Sequence, residues 1–110
     1  MALYRLTNDN FRDVIKNNDI VIVDFWAEWC RTCSSFKPIY MQISDNYPDV
    51  VFGKVNTQIE QDISIEFRIQ SIPTLIAFRN GDEVYRKAGA IPSQHLEEII
   101  DGVKNRSLAS

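Results

Sequence analysis

The chain has little cysteine and almost no histidine: Cys30 and Cys33 are the only thiols in 110 residues, and His95 is the only imidazole. A secreted domain stapled by disulfides carries more cysteines, spread along its length. Two cysteines three apart close a very small loop, and loop entropy gives such a bond less stabilising effect than one closing a long loop. The pair is therefore better suited to chemistry than to holding a fold together. Half of a zinc site is a minor alternative, because zinc wants about four ligands and His95 is the only other cysteine or histidine. A haem-attachment motif needs histidine directly after the second cysteine, where Ser34 stands. No apolar run approaches ~18 residues, so no membrane span is expected. The first residues, Met1 to Arg5 and then Thr7-Asn8-Asp9-Asn10, lack an apolar stretch behind a basic flank. No signal peptide is expected, and the expected location is cytoplasmic. The net charge is −3, with no long run of one sign. A nucleic-acid binder carries a basic patch or stripe, and an anionic-membrane binder a polybasic segment, so neither partner is expected.

What is present is an ordinary globular composition, 45% hydrophobic and 25% charged. The length fits one domain over residues 1–110, able to bury roughly 65% of the surface of the unfolded chain. Thr7 can cap a first helix that turns Phe11, Val14 and Ile15 to one side. Ile20 to Trp26 is β-branched and almost wholly apolar, the pattern of a strand buried on both faces. From Cys33 to Tyr47 the period becomes helical, with Phe36, Ile39, Tyr40 and Ile43 on one stripe and Pro38 as a kink. Val50 to Asn56 reads as a second buried strand. Ile59 and Ile63 suggest a short helix to about Phe67. Leu75 to Phe78 and Glu83 to Lys87 read as strands joined by an Asn80-Gly81 turn. Pro92 opens a last helix at a position that tolerates it, with Leu96, Ile99, Ile100 and Val103 on its buried stripe and fraying from Asn105. The early alternation implies a parallel βαβ crossover, and the hairpin adds antiparallel strands. The fold class is α/β, with a mixed sheet and helices on both faces.

Cys30 and Cys33 fall where a buried strand ends and a helix begins. A helix N-terminus presents unpaired N–H groups and the positive end of the macrodipole, so a thiolate there is stabilised and its pKa falls towards neutrality. Spacing of i, i+3 on the first turn lets the second sulfur reach the first. In that arrangement Cys30 is expected to be exposed and nucleophilic, and Cys33 more buried and resolving. Two inert thiols at a helix start remain the alternative.

Val23-Asp24-Phe25-Trp26-Ala27-Glu28-Trp29-Cys30 resembles the active-site strand of the thioredoxin family nearly letter for letter. Pro38, five residues after Cys33, resembles that family's helix-kinking proline. Ser71-Ile72-Pro73-Thr74-Leu75 resembles its cis-proline loop, and Asn80-Gly81 and Gly89-Ala90 its hairpin turn and substrate-groove glycine. The likeness runs from about residue 5 to 104. It implies a thioredoxin-like sheet of about five strands flanked by about four helices. It also implies a protein disulfide reductase acting on disulfide-containing proteins, with thioredoxin reductase as electron donor. No cofactor or metal is needed in the chain itself, and nothing in the sequence suggests more than a monomer. Two departures stand out. Arg31-Thr32 replaces the usual Gly-Pro between the cysteines, and Ser34 replaces a basic residue.

Asp24 is a charge in an apolar strand, costly unless paired or protonated. It reads as a buried acid of raised pKa that exchanges a proton with Cys33, or as a structural hydrogen-bonding group. Lys54 resembles the lysine that pairs with that aspartate, and otherwise is a half-exposed strand lysine. Pro73 could start an edge strand. The resemblance instead implies a cis bond that leaves the Ile72 backbone free for an extended substrate beside Cys30. Trp29 reads as part of the docking face, with Arg31, Thr32 and Gly89, and Trp26 as packing in or near the core. His95 is given no chemistry. The charge of Arg31 should favour the Cys30 thiolate. A lower thiol pKa stabilises the reduced form, by about 30 mV per pKa unit for a two-electron couple. The pair is therefore expected to be less reducing than a Gly-Pro pair by some tens of millivolts. An oxidase or isomerase, and a non-catalytic docking module, are the alternative functions.

Overall fold

The computed structural model describes residues 3–105. Nine elements follow in order: β1 (Tyr4–Arg5), α1 (Phe11–Asn17), β2 (Ile20–Trp26), α2 (Arg31–Ser44), β3 (Val51–Asn56), α3 (Gln61–Glu66), β4 (Thr74–Arg79), β5 (Asp82–Ala88) and α4 (Ser93–Asn105). The strands form one sheet in the order β1-β3-β2-β4-β5. β1 and β2 run parallel to β3, whereas β4 is antiparallel to β2 and to β5. The expected mixed sheet with four helices is what forms, and β2 lies at its centre.

Alternation along β2 sorts the core into two layers. Ile20 and Ile22 face Phe36, Tyr40 and Ile43 of α2 and Leu96, Ile99, Ile100 and Val103 of α4. Val21, Val23 and Phe25 face Phe11 and Ile15 of α1 and Ile63 of α3. A strand covered on both faces has no solvated side, which is why its sequence is a continuous apolar run. The Tyr40 hydroxyl reaches the carbonyls of Ile22 and Gly53, each at 2.8 Å, and so ties α2 to β2 and β3. Asn80 and Gly81, at φ +54° and +87°, close the β4–β5 hairpin as a two-residue turn.

Several boundaries depart from the sequence pattern. β1 has no apolar pattern to announce it: both its residues are exposed, and it exists because the edge of β3 offers parallel partners. Thr7 caps the turn before α1, its Oγ1 accepting the N–H groups of Asp9 and Asn10, and the helix itself starts at Phe11. α2 starts at Arg31, two residues before the expected Cys33, and stops at Ser44 rather than Tyr47. Ile59 is outside any helix and 58% exposed, and α3 begins only at Gln61 behind the buried Glu60. Pro92 precedes the first helical residue of α4, and its carbonyl accepts the Leu96 N–H. The fraying expected at the C-terminus falls mostly outside the described residues. No helix among them is long and apolar enough to cross a membrane.

Candidate active site

β2 ends at Trp26, and Ala27 to Trp29 lead into α2 with Cys30 as its N-cap. Cys30 has an extended backbone (φ −87°, ψ 109°), which aims its side chain across the first helical turn. Its Sγ accepts the Cys33 N–H at 3.1 Å, taking the place of the usual capping oxygen. The two cysteines are joined as a disulfide, with their Cα atoms 5.2 Å apart. On reduction, a thiolate at Cys30 would keep that N–H and sit at the positive end of the helix dipole. The spacing rule therefore acts here through a named hydrogen bond.

One expectation is corrected. Cys30 is only 6% exposed and Cys33 only 3%. The capping geometry turns the Cys30 sulfur inward, and the Ile72 carbonyl oxygen lies 3.8 Å away. Exposure at the tip belongs to Trp29 (69%) instead. The Ile72–Pro73 bond is cis. The Gly89 N–H donates to the Pro73 carbonyl at 2.8 Å, which fastens the end of β5 to the proline loop. Gly89 has φ +93° with open space where a Cβ would be, so backbone conformation rather than crowding calls for glycine. Trp29, Thr57, Ile69, Gln70, Ser71 and Ile72 line a cleft of about 270 Å³ on this side. Arg31 and Thr32 are exposed on the first turn of α2.

Behind the disulfide lies Asp24. Parallel and antiparallel register set Arg5, Lys54, Asp24 and Leu75 side by side across β1, β3, β2 and β4. Register partners share a face, and this is the face covered by α2. Asp24 is 2% exposed, and its Oδ1 has no hydrogen-bond partner among the described residues. Burial pushes its pKa up to about 7, against the opposing pull of the Lys54 charge. Asp24 and Lys54 are neighbours but not a contact ion pair. The Lys54 ammonium sits over the Trp26 ring, 4.5 Å from its centre. Its pKa is lowered, first by partial burial and then by the charge of Lys37, while Asp24 acts the other way. Trp26 is half-buried, as a platform for that ammonium.

A cavity of about 250 Å³ joins these groups, lined by Asp24, Trp26, Glu28, Cys33, Ser34, Lys37 and Lys54. Glu28, Ser34 and Lys37 were not singled out from the sequence as site residues. Lys37 could have been found, because it lies four residues after Cys33 on the same helix face. Glu28 carried no comparable signal: its position depends on how the loop after β2 turns.

A disulfide of two cysteines three apart at a helix N-terminus, faced by a cis-proline loop and backed by a buried carboxylate, defines a thiol–disulfide oxidoreductase. The comparisons with known proteins narrow the class. The thioredoxin family model matches residues 2–102. A protein named putative thioredoxin 2 from Streptomyces coelicolor is 41% identical over 95 residues, covering 86% of this chain and 71% of that one. Thioredoxin from Porphyra purpurea is 36% identical over 103 residues, covering 92% and 96%. The solved structure of Plasmodium falciparum thioredoxin superposes with a TM-score of 0.85 at 33% identity, covering 90% of this chain and 97% of that one. The chain belongs to the thioredoxin family, and its activity is that of a protein disulfide reductase.

Proposed function

We propose that this protein is a cytoplasmic, monomeric reductase that draws its electrons from a thioredoxin reductase. The Cys30 thiolate attacks one sulfur of a substrate disulfide. That bond breaks, the departing thiolate takes a proton, and Cys30 is left in a mixed disulfide. Asp24, as carboxylate, takes the proton of Cys33. The Cys33 thiolate attacks the Cys30 sulfur, the second substrate sulfur leaves as thiolate and is protonated, and the Cys30–Cys33 bond forms. Two electrons and two protons delivered through the reductase restore the dithiol. Trp29, Ile72, Pro73 and Gly89 seat an extended substrate segment beside Cys30. Arg31 and Thr32 flank the point of attack, and Lys54 sets the charge around Asp24.

The observation that carries this reading is the Cys30 sulfur at the helix cap, accepting the Cys33 N–H with the Ile72 carbonyl at its other side. The test is the reduction potential of the pair, measured in glutathione buffers. A value near the thioredoxin end of the scale, about −270 mV, supports a general reductase. A value near about −180 mV or above would replace it with an oxidase or isomerase, the direction in which Arg31 pushes. Absence of any two-electron transition would leave a docking module. Trapping of the thiols in intact cells tests the compartment, since cytoplasmic thiols are kept largely reduced. Sedimentation of the oxidised and reduced forms tests the monomer.

A further inference from the structure

Next to the cavity behind the disulfide lies a groove of about 460 Å³. It shares Trp26, Glu28, Lys37 and Lys54 with that cavity and is lined further by Arg5, Met41 and Ile59. Three cations, Arg5, Lys37 and Lys54, line this groove against one carboxylate, Glu28. That balance is opposite to the chain as a whole, whose net charge is −3. Register explains why the charges converge: Arg5 and Lys54 are lateral partners on β1 and β3, and Lys37 projects from α2 above them. Neither Arg5 nor Lys37 has an ion-pair partner among the described residues. The Lys54 ammonium is held over Trp26 rather than against a carboxylate. Exposed apolar side chains stand in the same groove, Met41 at 43% and Ile59 at 58% exposure.

We propose that this groove is a second docking site, which takes an acidic segment carrying an apolar side chain from the protein whose disulfide is exchanged. It deepens the reductase reading above and rests on it. Acidic side chains meet Arg5, Lys37 and Lys54, and the apolar side chain packs between Met41 and Ile59. The site lies on the Cys33 side of the disulfide, away from the cleft beside Trp29 and Ile72. A partner can therefore occupy both at once, its disulfide at Cys30 and its acidic segment in the groove. Charges here also steer the approach of acidic partners before contact.

The test uses the whole protein and two synthetic peptides that share one disulfide loop, flanked by Asp/Glu-Leu or by Lys-Leu sequence. Hydroxyethyl disulfide, small and neutral, reports the chemistry alone. Surface charge pairs are individually weak. Acting together, they should give the acidic peptide a kcat/KM about fivefold or more above the basic one at low salt, shrinking in about 0.5 M salt. The Arg5→Glu, Met41→Glu double variant alters groove residues outside the Cys33 cavity. It should lose the preference while reducing hydroxyethyl disulfide at the wild-type rate, which also shows that it is folded. Arg5→Gln, Met41→Gln should lose part of it. Equal turnover of the two peptides by wild type, or a preference unchanged in the double variant, would overturn the proposal. So would binding to phosphatidylserine vesicles, or self-association, that the same variant abolishes, because either assigns the groove to another occupant. Failure of wild type to reduce hydroxyethyl disulfide would count instead against the reductase reading.

Discussion

Replacing Asp24 by asparagine should make the protein more stable, and the gain should grow with pH. The native carboxyl titrates at about 7, against 3.8 for the ordinary group. A folded pKa raised above the unfolded one means that the native state holds its proton longer than the unfolded chain does. Below about pH 4 both states are protonated, and the carboxyl costs nothing extra. As pH rises from there towards 7, the unfolded chain ionises while native Asp24 stays neutral, and stability falls by ~1.4 kcal/mol per pH unit. Above about 7 both states are ionised and the loss levels off, at about 4 kcal/mol in total. Asparagine has nearly the same shape and cannot ionise. The Asp24→Asn variant should match wild type near pH 4 and exceed it by about 4 kcal/mol at pH 8. Urea unfolding of the oxidised protein, followed by Trp26 and Trp29 fluorescence at several pH values, measures the difference directly. Titrating groups that Asp24 does not influence are common to both proteins and cancel. A gap independent of pH, or one that closes as pH rises, would refute the raised pKa. If the asparagine variant also reduces protein disulfides more slowly, the carboxylate is retained for proton transfer at the expense of stability.

Arg31→Ala should make the disulfide more reducing, by about 30 mV for each unit by which the Arg31 charge lowers the Cys30 pKa; glutathione equilibration measures it, and an unchanged potential would rule out Arg31 as a tuning charge. Tyr40→Phe removes a buried hydroxyl placed between two carbonyls at 2.8 Å, and should cost about 1–2 kcal/mol in denaturant unfolding. Gly53→Ala would drive a Cβ into the Leu6 side chain at Cδ1. The overpacking should cost about 1–3 kcal/mol, partly recovered when Leu6 is shortened to alanine in the same chain. Cys33→Ser should leave substrate attached to Cys30 as a mixed disulfide visible by mass spectrometry, while Cys30→Ser should accumulate none.

Features that report local periodicity or local backbone chemistry are legible in the residues alone. The apolar run from Ile20 to Trp26 reads as a doubly covered strand because only such a strand can bury every residue. The stripe of Leu96, Ile99, Ile100 and Val103 recurs with the period of a helix. Asn80-Gly81 marks its hairpin because both residues tolerate positive φ. The Cys30–Cys33 spacing, and the loop around Pro73, carried the chemistry through resemblance.

What lies beside what depends on how the elements assemble. Tyr4–Arg5 becomes a strand because β3 has a free edge, a fact about a neighbour some fifty residues away. α2 begins at Arg31 with the Cys30 sulfur as its cap, and in that position Cys30 is buried, where spacing alone would leave it exposed. Ile59 matches a helical stripe on paper, yet stands exposed in the lining of the groove. Lys54 is aligned with Asp24 by register and drawn to the Trp26 ring by its π face, so the two charges act through space instead of through contact. Hydrophobic pattern selects elements and faces. Strand register, cap geometry and the turn of a loop set distances between residues far apart in the chain, and those distances place Asp24, Lys37 and Lys54 around one cavity behind Cys33.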